Sequence, residues 1–178
     1  EFRRVLFRSL FRQARANGVD LLFEASVGGG IPIIKGLREG LVANRIESIY
    51  GILNGTTNFI LTKMTQDGLD FAEALAEAQR LGFAELDPSM DVNGLDAAHK
   101  LTILASIASS AAIELGHLHV EGITGLAKID VDFARSLGYV LKLLAICRQV
   151  DGRLDLRVHP IMVDAAAVYS NVSTAFTD

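Results

Sequence analysis

Tyr139-Val-Leu-Lys-Leu-Leu-Ala-Ile-Cys-Arg-Gln-Val150, then Asp151-Gly152, then Arg153-Leu-Asp-Leu-Arg-Val-His-Pro-Ile-Met-Val163 is the stretch that decides the fold. The first run reads as a strand and the last as its return, because Asp-Gly between apolar runs is a strong hairpin signal. In the return strand Arg153, Asp155 and Arg157 alternate with Leu154, Leu156 and Val158. A period of two puts the charges on one face and the aliphatics on the other, so one face is expected to meet solvent. Helical segments precede the hairpin, and together they predict an α+β layer: an antiparallel or mixed sheet with helices on one face.

Upstream, residues 122–138 read as loop and short helix, with Asp130 or Asp132 as cap and Gly138 as stop. Residues 95–107 read as a helix rich in Ala, Leu and Ile. Over 70–81 Phe71, Ala74, Leu75, Ala78 and Leu81 share a helical face, Gly82 ends it, and Asp70 with Glu73 three residues on predicts a capping box. Residues 46–53 read as a strand running into Asn54-Gly55-Thr56-Thr57-Asn58, where Thr57 or Asn58 is expected to cap the next helix. The free N–H groups of such a turn suit polar or anionic ligand groups, though many hold only water. Residues 26–34 are a glycine loop in which Pro32 opens a helix ending at Gly40. Residues 10–17 read as a short helix stopped by Gly18, and 19–25 as a buried strand. That helix–strand pair reads as the last αβ unit of a parallel-sheet, Rossmann-type domain, with 26–178 as the domain that follows.

Of 178 residues, 50% are apolar and 21% charged, which supplies a packed core and excludes a disordered chain. A net charge of −4 gives no electrostatic footprint for nucleic acid. The lone Cys147 excludes an intrachain disulfide framework and a CxxC metal site. The longest apolar stretch, Leu101 to Ile113, is broken by Thr102, Ser106, Ser109 and Ser110, so a core helix is expected there rather than a membrane span. With no leader visible, the expected compartment is the cytoplasm. Mean hydropathy of +0.33 is high and predicts apolar faces that something else covers.

The ends look foreign or cut. Residues 3–9, RRVLFRS, can be encoded by AGACGTGTGCTCTTCCGATCT, which resembles a sequencing adapter read in frame, so residues 1–9 are expected to be non-native. The run after Val172 carries strand-type residues with nothing to close on, and truncation is expected at both ends.

The chemistry concentrates in Glu85, Asp87, Asp91, Asp96 and Lys100, four acids and a lysine within sixteen positions. Asp96 and Lys100 lie one turn apart on one helix face. Periodicity leaves a solvated edge pair and a pocket pair equally open. The acids lack EF-hand spacing, His99, His117, His119 and His159 form no H-x-x-x-H pair, and Gly28-Gly29-Gly30 fails both the dinucleotide fingerprint and the Walker pattern.

The segment Ala78-QRL-Gly82-Phe-Ala-Glu-Leu-Asp87-Pro-Ser-Met-Asp91-Val-Asn-Gly94-Leu-Asp96-Ala-Ala-His-Lys100 resembles the signature of the homoserine dehydrogenases at each fixed position. FEASVGGGIPII and GILNGTTNFIL, on its N-terminal side, are similar to that family as well. The resemblance implies an enzyme of threonine and methionine biosynthesis that interconverts L-homoserine and L-aspartate 4-semialdehyde with NAD or NADP. It implies Lys100 as acid/base with Asp96 as partner, and Glu85 and Asp91 on the amino acid substrate. Gly55 and Thr56 would lie near substrate and nicotinamide, Asp87 would shape the loop, and Glu24 with Val27, Gly29 and Ile31 would hold a sodium ion. It also implies a homodimer or higher homo-oligomer, with a small-molecule amino acid as ligand and neither nucleic acid nor membrane as partner. No residue here answers to the family's fingerprint loop, so this chain alone is expected to be inactive. The competing reading is a non-catalytic oligomerisation module.

Overall fold

The computed structural model describes residues 2–172, with side chains from Ser9 onward. The foreign origin expected for residues 1–9 and the strand-type run after Val172 therefore fall almost wholly outside the described side chains. Helix α1 spans Phe2–Ala16, starting earlier than the spacing predicts, and Gly18 at φ +62° turns the chain after it.

Residues 19–25 do not form the buried strand expected of them. Val19 is 60% and Leu22 85% exposed, and none of the four strands pairs with this segment. An apolar run is a strand only when a neighbour takes its backbone hydrogen bonds, and here the run lacks that neighbour. Phe23 is the residue that packs inward: its ring meets Phe11 edge-on at 5.4 Å and joins Val27 and Ile34 in a small cluster. The helix opened by Pro32 is one α turn, α2 (Ile33–Lys35), widening into a π turn over Gly36–Gly40.

Strand β1 (Ser48–Gly51) is followed by α3 (Gly55–Gln66), α4 (Phe71–Arg80), the short α5 (Ser89–Val92) and α6 (Leu95–Ser109). Strand β2 (His119–Val120), α7 (Lys128–Ser136) and the hairpin β3 (Tyr139–Val150) and β4 (Arg153–Asp164) complete the order. The sheet runs β1-β3-β4-β2. β1–β3 and β3–β4 are antiparallel, and β2 pairs parallel with β4, so the sheet is mixed. Asp151 and Gly152 both take positive φ, +49° and +75°, as the type I′ turn between twisted strands requires.

Strand β3 is buried continuously from Leu141 to Cys147. Alternate residues explain it: Leu141, Leu143, Ala145 and Cys147 join the main core, while Leu144 and Ile146 cluster with Val163 elsewhere. In the main core they meet Ile60, Leu61 and Met64 of α3, Ala74 and Ala78 of α4, Leu101 and Ala105 of α6, and Val131 of α7. Burying each large aliphatic there contributes roughly 1.5–3 kcal/mol. α6 serves two clusters, since its Leu104 packs on Val27 and Ile34.

Two caps differ in detail from expectation. Asp70 closes its capping box with Glu73 as predicted. The cap of α3, however, is Asn54, whose side chain accepts from the Thr57 amide, not Thr57 or Asn58. Ala127 occupies the cap position of α7, and Asp130 sits in the first turn and accepts from the Ala127 amide at 2.8 Å. Among the described residues no helix is long and apolar enough to cross a membrane, and no buried side-chain nitrogen or oxygen lacks a hydrogen-bond partner.

Candidate active site

The end of β1 delivers Leu53 and Asn54 to the start of α3, and a long turn returns the chain from α4 to the start of α6. Asp87 shapes that return: its carboxylate accepts from the Ser89 amide at 3.2 Å and from the Ser89 hydroxyl, and these bonds hold its acid below the ordinary carboxylate value. α5 then presents Asp91, and Gly94 at φ +78° swings the chain into α6. Gly122 lies against this turn. A Cβ there would sit 2.2 Å from the Val92 carbonyl oxygen and 2.5 Å from Asn93 Cα, so only glycine fits. The neighbouring Ile123 amide donates to that same Val92 carbonyl at 2.8 Å.

The two arms meet at Asn54. Its Nδ2 donates to Asp91 Oδ1 at 2.7 Å and to Asp96 Oδ2 at 2.9 Å. Lys100 Nζ donates to Asp96 Oδ2 at 2.7 Å and to the Leu53 carbonyl at 3.0 Å. The Asp96 and Lys100 side chains are 29% and 26% exposed, so the pair is neither a solvated edge nor sealed in the core, and a small ligand can reach it. Two carboxylates and one ammonium leave one net negative charge, which favours a cationic ligand group. The Thr56 hydroxyl donates to the Phe83 carbonyl at 2.7 Å, and the Phe83 ring stacks on Phe59 with centroids 4.6 Å apart. Gly55, Thr56, Asp91, Asp96 and Lys100 are thus brought together around one turn.

Glu85 sits on the exposed part of the loop, its carbonyl fastened by Gln79 Nε2 at 3.1 Å, and no bond ties its carboxylate to Asp91. The Glu24 carboxylate is committed to backbone amides. Its two carboxylate oxygens accept from the amides of Ile34 (2.7 Å) and Lys35 (2.9 Å), so it caps the helix after Pro32. The Ile31 carbonyl accepts from the Ile33 amide at 2.8 Å, Val27 is buried, and Gly29 is exposed. Among the described residues no group of three or more His, Cys, Asp or Glu could hold a metal.

Two residues escaped the sequence reading. Asn54 carried a signal, since asparagine before a helix is a preferred cap, but its two carboxylate partners lie 37 and 42 positions away. Lys142 carried none. It is 3% exposed in mid-strand, and its Nζ donates to Asn58 Oδ1 (2.9 Å) and to the Val172 carbonyl (2.6 Å), with Thr62 Oγ1 at 3.5 Å. Burial pushes its pKa down to about 8.

Known proteins resemble this arrangement. A homoserine dehydrogenase of Pseudomonas aeruginosa is 50% identical over 164 residues, which is 92% of this chain and 38% of that protein. A homoserine dehydrogenase structure from Thiobacillus denitrificans superposes with a TM-score of 0.90 at 51% identity, covering 94% of this chain and 39% of that one. A hyperthermophilic archaeal homoserine dehydrogenase in complex with NADPH superposes with a TM-score of 0.72 at 30% identity, covering 92% of this chain and 46% of its own. The chain thus spans about two fifths of the length of the bacterial relatives. The family model for homoserine dehydrogenase matches residues 32–177, and with that match over most of its length the chain belongs to the homoserine dehydrogenase family.

Proposed function

We propose that the full-length protein bearing this chain interconverts L-homoserine and L-aspartate 4-semialdehyde with NAD or NADP, and that this chain supplies the substrate and proton-transfer half. The observation that carries the reading is the 2.7 Å Lys100–Asp96 pair seated beside Asp91. An ammonium has three N–H donors, and Lys100 gives two of them to Asp96 and Leu53. The third is available to the substrate oxygen. In reduction the Lys100 ammonium gives a proton to the alkoxide as that oxygen gains charge and is left as the neutral amine; in oxidation the neutral amine takes the hydroxyl proton and becomes the ammonium. Asp96 keeps the ammonium aimed. Asp91 receives the substrate's ammonium, and Glu85 joins it as the exposed loop settles on the ligand.

A nicotinamide bound beside the substrate would supply or accept the hydride. The Gly28–Gly30 cluster lacks fingerprint spacing, so no residue here is assigned to the phosphates of the dinucleotide, while Gly55 and Thr56, beside Asn54, would lie near substrate and nicotinamide. The archaeal relative with NADPH supports the cofactor class. A sodium ion at Glu24, Val27, Gly29 and Ile31 would rest on backbone carbonyls, donors that suit a hard cation, because the Glu24 carboxylate is already used. We infer a homodimer or higher homo-oligomer as well, supported by exposed Phe133, Leu137, Tyr139 and Met162.

In the full-length protein Asp91→Asn and Glu85→Ala are expected to raise KM for homoserine by about tenfold or more, with a smaller change in kcat. Unchanged KM in both variants contradicts the substrate assignment. This chain alone is expected to leave NAD(P)+ unreduced in the presence of homoserine; measurable reduction contradicts the division of labour.

A further inference from the structure

Asn54 is 4% exposed, and its side-chain amide is used to capacity. A primary amide has two N–H donors and one oxygen with two lone pairs. Both donors leave on Nδ2, one to Asp91 and one to Asp96. Both lone pairs are filled, by the Thr57 amide at 2.8 Å and the Thr57 hydroxyl at 2.9 Å. The direction of the amide is fixed by chemistry. Rotated by half a turn, it would press its NH2 on the Thr57 amide and its oxygen on two carboxylates, so three contacts would turn repulsive.

The two carboxylates come from different elements, α5 and α6, and carry different charges of duty: Asp91 toward the substrate ammonium, Asp96 toward Lys100. Two carboxylates this close repel unless a donor stands between them. Asn54 is that donor, and its own backbone neighbour Leu53 holds Lys100 through a carbonyl. One turn of chain therefore sets the spacing of all three charged groups.

We propose that Asn54 is a positioning residue that fixes Asp91 and Asp96–Lys100 as one unit through a single side-chain amide, so that substrate docking and proton transfer stay in register. The proposal rests on the functional reading above. It also goes beyond helix capping, and the two roles separate experimentally. Ser and Asp cap helices about as well as Asn. Neither can donate to both carboxylates: Ser is too short, and Asp adds a third negative charge.

The test is steady-state kinetics of the full-length enzyme with Asn54→Ser and Asn54→Asp, beside Lys100→Ala as a control. Asn54→Ser is expected to raise KM for homoserine and lower kcat, each by about tenfold, with KM for the dinucleotide unchanged. Asn54→Asp is expected to lose at least as much, and to regain activity relative to Asn54→Ser as pH falls and the extra carboxyl takes up a proton. A double-mutant cycle with Asp91→Asn is expected to give less than multiplicative losses in KM. If Asn54→Asp does not fold, Asn54→Ser and the cycle decide. Wild-type kcat and KM in a folded Asn54→Ser, or strictly multiplicative losses, overturn the proposal. If Lys100→Ala is inactive while the Asn54 variants behave as wild type, only this inference fails. If Lys100→Ala keeps full activity, the functional reading itself fails.

Discussion

Two lysines bond to the segment that runs from the end of β1 into α3, at Leu53 and at Asn58, and their surroundings differ. Lys100 stands in the second turn of α6, a quarter exposed, against the carboxylate of Asp96. Lys142 lies in mid-strand, 3% exposed, and its described partners are the neutral oxygens of Asn58, Thr62 and Val172. Lys142 is the one whose pKa burial lowers, to about 8. A perturbed lysine is a usual pointer to catalysis. Under the function proposed above the pointer leads away from the catalytic lysine, because Lys142 is buried among the described residues whereas Lys100 is a quarter exposed. What marks Lys100 is access together with a carboxylate that aims it. Lys142 instead ties Val172, eight residues past the end of β4, to the sheet, and Asn58 Nδ2 of α3 donates to the same carbonyl at 3.1 Å.

The comparison breaks most visibly at Asp96. Asp96→Asn in the full-length enzyme is expected to lower kcat about tenfold to hundredfold, since the ammonium loses its orienting charge. A variant with wild-type kcat would make Lys100 no better placed than Lys142.

Lys142→Met probes the other side. In the wild type the folded pKa of Lys142 lies below the unfolded value of 10.5, so between pH 8 and 10.5 the unfolded chain binds the extra proton. Stability is therefore penalised in full below pH 8 and rises through that window, with a slope of at most about 1.4 kcal/mol per pH unit. Denaturant melts at several pH values should show this rise in the wild type and its absence in Lys142→Met. Equal slopes would mean that Lys142 is not the buried charge described here.

Asn58→Asp sharpens the contrast by giving Lys142 the partner Lys100 already has. A carboxylate at that position favours the ammonium and should shrink the alkaline rise in stability. An unchanged rise would show that the carboxylate does not reach Nζ. At the solvated extreme, Arg157 Nε bonds Asp155 Oδ1 at 2.7 Å on an exposed strand face. Arg157→Ala is expected to cost only about 0.2–1 kcal/mol, and a larger loss would mean that face is covered.

Much of this layout was legible in residue order. The β3–β4 hairpin was readable because its signals are local: two-residue alternation and an Asp-Gly turn. The Asp70 capping box was readable for the same reason. The strand expected at 19–25 failed because its apolar run says nothing about whether a neighbour exists. Strand β2 escaped notice because its two residues are strand only by pairing with Arg157 and Val158. The cluster of Asp91, Asp96 and Lys100 could be found by spacing and resemblance, yet its hub could not. Asn54 looked like a turn residue, and its bonds depend on a return of the chain some forty positions later. The helix-capping role of the Glu24 carboxylate could not be read either, because the Ile34 and Lys35 amides it meets are presented by the turn after Pro32.

The most direct test sets the two lysines side by side in the full-length enzyme: kcat for homoserine oxidation, at saturating substrate and dinucleotide, in Lys100→Met and in Lys142→Met. The account predicts a loss of about 10²–10⁴-fold for Lys100→Met and a value within about threefold of wild type for Lys142→Met. Near-wild-type turnover in Lys100→Met, or an equal collapse in a folded Lys142→Met, would contradict it.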